Sequence, residues 1–369
     1  MRPDPSSPTP LRRCPRFLIS YEGGAWAAVG CQSDRLVRVG SGEAAPGAFR
    51  SDHMPGDGLT SSPASAETKK GLSGMGGPTA DNVVAVIVTL QPESDVIHHV
   101  EVLIGQVARI VVIDNGSRPG SSPIFDSIAT LGPVDVVRNP VNLGIARALN
   151  QGAEAAMDAG ADWLLTLDQD AAPGPDIVRV AGGTFDAYPR PDRIAVIGST
   201  SVADAARSKR PIEPGRTWIE ATTVITAGSF LSLAASRALG GYRDDLFVDY
   251  VDIEFCLRAR ARGYRVVASR TPAMTHRIGR PTRRRIGPRV VTPTNHSAIR
   301  RYYITRNRFI VWRRYWRTDS HFVARDIVAS QKELIKLLLF EEDRPAKIRA
   351  MLAGLRDGIR NVTGEKGAA

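Results

Sequence analysis

Asp168-Gln169-Asp170 follows the apolar run Trp163-Leu164-Leu165-Thr166-Leu167, and Ala171-Ala172-Pro173 closes it. A continuous apolar run reads as a strand buried on both faces, and acids at its C-terminal edge stand where open α/β sheets bind ligands. Two carboxylates one residue apart suit a divalent cation that also holds substrate phosphates. Alone, the same tripeptide serves equally as a helix N-cap or a solvated turn. A second acidic group, Asp244-Asp245-Leu246-Phe247-Val248-Asp249-Tyr250-Val251-Asp252-Ile253-Glu254-Phe255, runs from a loop into a helix. Acids in a first helical turn gain well under ~1 kcal/mol each from the helix dipole. The chemical reading places a general base here, close to a substrate hydroxyl.

These residues need a scaffold. Val83-Val84-Ala85-Val86-Ile87-Val88-Thr89-Leu90, Arg109-Ile110-Val111-Val112-Ile113, Val134-Asp135-Val136-Val137-Arg138 and the Trp163–Leu167 run predict four strands. Helical patterns lie between them at residues 95–106 and 142–159, the second with Ile145, Leu149, Ala153 and Ala156 on one face. Strands alternating with helices imply a doubly wound, mainly parallel α/β sheet with helices on both faces. The C-terminal strand ends then align Thr89, Asp114-Asn115-Gly116-Ser117, Arg138-Asn139 and Asp168-Gln169-Asp170 along one polar crevice. Asp114 is an acceptor suited to a base edge or a ribose hydroxyl, and Asp-Asn-Gly is also a strong turn signal. Asn142-Leu143-Gly144 opens a helix, where glycine admits a close ligand and the helix end favours an anion. Plain N-capping by Asn142 is the alternative. Further strands are expected at residues 194–198 and 222–226, and a helix at 252–262 with Phe255, Cys256 and Ala259 inward and Gly263 as its stop. Gly228-Ser229 and His276 are weaker polar candidates.

The chain has 369 residues and a net charge of +11. Cys14, Cys31 and Cys256 form neither a disulfide framework nor zinc spacing, which points to a reducing compartment. No apolar run approaches membrane-spanning length. Residues 1–80, rich in Pro, Ser and Gly, read as a disordered leader, with a short hairpin near Phe17 or a natural start at Met75 or Met54 as alternatives. Residues 81–270 form the α/β domain and residues 271–369 a basic, aromatic-rich helical region. Residues 270–318 hold 14 arginines and no acid, with Tyr302, Tyr303, Phe309, Trp312, Tyr315 and Trp316 interleaved. From residue 322 to about 361 the chain reads as helical, with Leu334, Ile335, Leu337, Leu338, Leu339 and Phe340 packed close together.

The order Val88-Thr89, Ile113-Asp114-Asn115-Gly116-Ser117, Asn142-Leu143-Gly144-Ile145-Ala146, Leu167-Asp168-Gln169-Asp170, Ala227-Gly228-Ser229, Asp249-Tyr250-Val251-Asp252-Ile253-Glu254 and Arg301-Tyr302-Tyr303-Ile304-Thr305-Arg306-Asn307-Arg308 resembles glycosyltransferase family 2. Within it, the pattern is similar to bacterial rhamnosyltransferases of cell-surface polysaccharide synthesis. The resemblance spans about residues 82–316. It implies a GT-A fold, a nucleotide-sugar donor such as dTDP-L-rhamnose, and inversion at the sugar carbon. It places Thr89, Asp114 and Asn115 on the nucleoside, with Asn142 and Gly144 beside the donor. It puts Asp168 on ribose or metal, and Asp170 on Mg²⁺ or Mn²⁺. Asp252 takes the place of the catalytic base, with Asp249, Glu254, Gly228, Ser229 and His276 around acceptor or base. The strand end Thr89-Leu90-Gln91-Pro92 departs from the family pattern. It also lacks the glycine-rich basic loop of a nucleotidyltransferase.

The resemblance implies a saccharide or lipid-linked saccharide acceptor and a cytoplasmic protein, peripheral on the inner face of the membrane. On that basis the arginine-rich segment is read as docking on an anionic membrane surface in preference to nucleic acid. A solvated helical face is the plain alternative. A catalytically silent binding protein on the same fold remains the rival to the enzyme.

Overall fold

The computed structural model describes residues 76–203, 215–276 and 294–367, together with the backbone of short strands at 17–22, 25–32, 35–38, 284–286 and 289–291. The leader segments outside those strands, and with them Cys14 and Met54, lie outside the described residues. Strands β1 (Phe17–Glu22), β2 (Ala25–Gln32) and β3 (Arg35–Arg38) pair antiparallel in sequence order.

The sheet is built on β4 (Val83–Thr89), β5 (Arg109–Asp114), β6 (Val134–Arg138) and β7 (Trp163–Asp168), paired in parallel in the order β7-β4-β5-β6. Every residue of β4 is buried, as its unbroken apolar run predicts. Side chains alternate between faces along a strand. Val84, Val86 and Val88 enter one core layer with Leu149 and Ala153 of α3 (Ile145–Asp158). Val83, Ala85 and Ile87 enter the opposite layer with Val100 of α1 (Asp95–Leu103) and Phe125 of α2 (Ser122–Ala129). Each fully buried Val, Ile or Leu contributes roughly 1.5–3 kcal/mol. Gly152 allows α3 this close approach, since a Cβ there would lie 2.5 Å from Val86.

Beyond β7 the sheet turns mixed. β11 (Ser229–Ser232) runs antiparallel between β7 and β9 (Ile194–Ser201), and β12 (Arg265–His276) runs parallel to β9. β8 (Ala171–Pro173) and β10 (Trp218–Glu220) pair antiparallel with β12. Helices α4 (Ile177–Ala187), α5 (Leu233–Leu239) and α6 (Val251–Ala261) complete the layers. The short strands β13 (Arg284–Ile286) and β14 (Arg289–Val291) form a separate pair. A mixed, mainly parallel sheet between helical layers is therefore the architecture. Its strand β12 runs on to His276.

One expectation fails. Residues 222–226 form a loop, not a strand. The Thr226 carbonyl accepts from Thr166 Oγ1 at 2.6 Å and Val224 covers Gly198, so this segment caps the sheet instead of joining it. The tail is helical as expected and is divided in two. It comprises α8 (Ser320–Phe340) and α9 (Arg344–Ile359), broken at Asp343, whose φ is +51°. Leu337 is buried, whereas Ile335, Leu338 and Leu339 face solvent. Both helices follow α7 (Ala298–Tyr315), whose N-cap Ser297 accepts from the Arg300 amide.

Candidate active site

The parallel register brings Thr89 opposite Asp114, Asp114 opposite Arg138, and Val88 opposite Asp168. The four predicted strand ends thus share one edge, and they are stitched together laterally. The Leu90 amide donates to Gln169 Oε1 at 2.8 Å, the Gln91 amide to Ser117 Oγ at 2.8 Å, and the Asn115 amide to the Thr89 carbonyl at 2.8 Å. Gln169, between the two acids, is therefore a tie between strands. Thr89 Oγ1 donates to the Ile113 carbonyl.

Asp114 is buried and accepts from the Ser117 amide at 2.8 Å and from Arg138 Nε at 3.3 Å. Asn115 is a hub. Its Oδ1 accepts from the Leu143 amide and from Asn139, and its Nδ2 donates to Asn142 Oδ1 and the Gly144 carbonyl. Gly144 sits at φ +84°, and a Cβ there would meet the Phe247 carbonyl oxygen at 2.6 Å. The Gly144 amide donates to Asn142 and the Ile145 amide to Phe247. The amides of Leu143, Gly144 and Ile145 are thus used within the protein, so the start of α3 positions Phe247 and the crevice wall instead of presenting a bare anion site.

Asp168, Asp170 and His276 form one cluster in which a ligand atom from each lies within 4.8 Å of the others. His276 Nε2 stands 3.5 Å from Asp170 Oδ1 and 3.9 Å from Asp168 Oδ2. Strand β8, antiparallel to β12 with His276 opposite Ala171, folds the histidine back onto the acids. Burial and the neighbouring Asp170 carboxylate push Asp168 above the ordinary carboxylate range. A hydrogen bond with His276 holds Asp170 below it. Two carboxylates and an imidazole fit a divalent transition ion such as Mn²⁺, and the carboxylates alone fit Mg²⁺. The sequence placed His276 only among the weaker candidates. Its distance in the chain from Asp170 hid the partnership.

Asp252 lies in the first turn of α6, its Oδ1 accepting from the Ile253 amide at 2.8 Å. Burial, with smaller contributions from Asp168 and Asp249, pushes its carboxyl up to about 6. The loop before it is strained. Phe247, Asp249 and Tyr250 have φ of +65°, +60° and +65°. The Val248 amide donates to the Leu246 carbonyl at 2.8 Å, closing a γ-turn around Phe247. Such conformations cost on the order of 1–3 kcal/mol per residue and persist only when their surroundings hold them. Helix α7 supplies the hold. Fully buried Asn307 donates its side-chain amide to the carbonyls of Leu246, Val248 and Asp249, and Arg306 Nη2 donates to Leu246. The sequence pattern contained these residues without disclosing this role.

Asp249 accepts from Arg300 through both carboxylate oxygens at 3.1–3.3 Å. The Arg300 charge also favours the ionised forms of Asp168 and Asp170. Glu254 does not join them. It is wholly buried, paired with Arg258 at 2.9 Å and accepting from Tyr315 at 2.8 Å, on the seam between α6 and α7. Two residues along a helix turn a side chain through ~200°, which points Asp252 and Glu254 to opposite sides. Gly228, at φ +74°, and Ser229 sit where β11 meets Thr166. The Gly228 amide donates to the Thr166 carbonyl and Ser229 Oγ to the Ile225 carbonyl. They shape the sheet beneath Thr226, whose hydroxyl reaches Asp168 at 3.4 Å.

Among the described residues of the arginine-rich segment, three arginines are buried. Arg301 pairs with buried Glu341, Arg306 is fully buried, and Arg308 meets Tyr250, Asp326 and Glu333. Residues 277–283 lie outside the described residues.

Residues 85–211 match the model of the family described as Glycosyl transferase family 2. The dTDP-rhamnosyl transferase RfbF of Shigella flexneri is 25% identical over 299 residues, covering 77% of this chain and 97% of that protein. Among solved structures, S. aureus TarS is similar with a TM-score of 0.48 at 14% identity, covering 76% of this chain and 49% of that one. The chain therefore spans about half the length of that TarS structure. The mannosyltransferase PcManGT from Pyrobaculum calidifontis, in complex with GDP-Man and Mn²⁺, has a TM-score of 0.46 at 15% identity, covering 80% of this chain and 81% of that one.

Proposed function

We propose that this chain, whose residues 85–211 match glycosyltransferase family 2, transfers L-rhamnose from dTDP-L-rhamnose, with inversion, to a saccharide or lipid-linked saccharide acceptor. The observation that carries the reading is the convergence of Asp168, Asp170 and His276 on the edge that faces Asp252. The choice of rhamnose rests on the motif pattern and the RfbF similarity. We assign the reaction to the cytoplasmic face of the cell membrane.

Thr89, Asp114 and Asn115 form the nucleoside wall, and Asn142 and Gly144 set its shape through Asn115 and Phe247. A Mg²⁺ or Mn²⁺ ion held by Asp168, Asp170 and His276 would neutralise the diphosphate leaving group as a Lewis acid. Arg300, anchored by Asp249, adds a fixed positive charge at the same mouth. Asp252 accepts the acceptor hydroxyl proton as the oxygen attacks the anomeric carbon from the face opposite the leaving group. A carboxyl raised to about 6 is a stronger base than an ordinary aspartate and is still ionised at neutral pH.

The test is a panel of nucleotide sugars with Mg²⁺ or Mn²⁺, read by donor hydrolysis and thermal stabilisation. The expected leader is dTDP-rhamnose. Equal response to all donors would remove the rhamnose assignment, and no response to any would favour a silent binding protein.

A further inference from the structure

The outer face of α8 and α9 has a composition that the glycosyltransferase reading leaves unused. On α8, Ile327, Val328, Ile335, Leu338 and Leu339 are exposed, Ile335 at 55% and Leu339 at 57%. On α9, Leu352 at 62% and Ile359 at 55% are exposed. Their spacing of three, four and seven residues draws an apolar stripe along each helix. Leu334 and Leu337 of α8 and Met351 and Leu355 of α9 line one cleft together with Ile304, Phe309 and Trp312 of α7, so both helices flank α7.

Charge is sorted across the same helices. Of the acids of α8, Asp326 turns inward to Tyr250 and Trp312, and half-exposed Glu333 pairs with Arg308. The single acid of α9, Asp357, is buried against Tyr302. Exposed alongside the apolar stripes are Arg325, Lys332 and Lys336 on α8, and Arg344 and Arg349 on α9, with Arg356 paired to Asp357. The acids exposed nearby, Glu342 and Asp343, sit in the turn between the helices. Among the described residues no helix is long and apolar enough to cross a membrane. A helix with an apolar stripe and a basic flank lies in the interface plane of a bilayer, its apolar side among the acyl chains and its cations at the headgroups.

We propose that the α8–α9 face docks on an anionic lipid bilayer. The surface differs from the arginine-rich segment that the sequence singled out, whose described residues Arg301, Arg306 and Arg308 are buried. A second copy of the chain fits less well, since pairing this face with itself would bring two basic flanks together. The docking does not depend on which sugar is transferred.

The full chain is sedimented with vesicles of phosphatidylcholine alone and with about one-third phosphatidylglycerol. Binding is expected to the anionic vesicles and to weaken with salt. Lys332→Ala with Lys336→Ala should lower partitioning about 25-fold, at about fivefold per cation. Ile335→Ser with Leu339→Ser should lower it at least about tenfold on both vesicle types. These side chains are exposed, so circular dichroism and donor hydrolysis should stay unchanged, which separates failure of docking from failure of the catalytic reading. Equal sedimentation of wild type and both variants would overturn the proposal. So would sedimentation-velocity evidence of a dimer that the serine variant dissolves while vesicle binding is absent.

Discussion

Asn307, fully buried on α7, donates its side-chain amide to the Asp249 carbonyl at 3.0 Å across a sequence separation of 58 residues. The same amide reaches Leu246 and Val248, so one side chain spans the strained turn that delivers Asp249 and Asp252 to the crevice. Its loss leaves buried carbonyls without a donor, each worth about 1–3 kcal/mol. Asn307→Ala should destabilise the fold by about 2–4 kcal/mol and lower kcat on the order of 100-fold, because a misplaced base is costly even at 1 Å. Nucleotide affinity should change little, since Asn307 does not touch the strand-end wall. Denaturation, transfer kinetics and nucleotide titration separate these effects, and an unchanged kcat would deny Asn307 the bracing role.

Asp252 predicts a pH dependence with a definite sign. A base must be ionised, so kcat/KM should rise through about pH 6 and level off above it. Burial raises the folded-state value above the unfolded one, so ionisation of Asp252 opposes folding. The stability associated with its neutral form is lost as pH climbs from ~4 toward about 6. Asp252→Asn should therefore lose transfer by at least about a thousandfold, retain donor binding, and be no less stable at neutral pH. A pH–rate profile beside thermal denaturation checks both halves. Substantial turnover by the variant would remove Asp252 as the base.

Much of this was legible in the chain because it depends on local pattern. The unbroken apolar runs of β4, β5 and β7 predicted their burial, and parallel pairing then had to align Thr89, Asp114 and Asp168. What escaped depends on distant partners. Positive φ at Phe247 and Tyr250 has no local signature, because these side chains rarely adopt it and the support comes from Asn307. The loop at 222–226 carries a β-branched run, but the Thr166 hydroxyl and Gly198 decide its use. The exposure of Leu338 and Leu339 was not legible, because apolar composition does not say which helix face finds a neighbour.

The Asp168–Asp170–His276 cluster predicts that the histidine binds metal alongside the acids. Removing an outer-shell partner of a metal typically costs 10–100-fold in affinity, so loss of a ligand should exceed about tenfold. His276→Ala and Asp170→Ala should each weaken Mn²⁺ binding at least that much, and nucleotide binding in its presence should fall with it. The effect of His276→Ala should be smaller for Mg²⁺, which favours oxygen ligands. Isothermal titration of each ion, with and without dTDP, measures this. Unaltered Mn²⁺ affinity in both variants would count against a metal at this cluster.

Glu254 separates a structural role from an acceptor-orienting one. It is wholly buried, held by Arg258 and Tyr315, with Arg314 at 3.9 Å. Burial works against its charge, but Arg258 and Arg243 outweigh it and keep the carboxyl below its ordinary value. The sign of the linkage follows: its contribution to stability is present above the unfolded value of ~4.3 and is lost as pH falls through the lower folded value. Breaking a buried pair typically costs about 3–5 kcal/mol, because the remaining charge is left without a partner. Glu254→Ala should therefore unfold at a markedly lower denaturant concentration and show a weaker loss of stability on acidification than wild type. Because Glu254 faces the α6–α7 seam and Asp252 faces the crevice, the acceptor KM of the folded fraction should stay within about threefold of wild type. An orienting contact with the acceptor would instead raise KM and leave the denaturation midpoint nearly unchanged, so the two roles are told apart by which quantity moves.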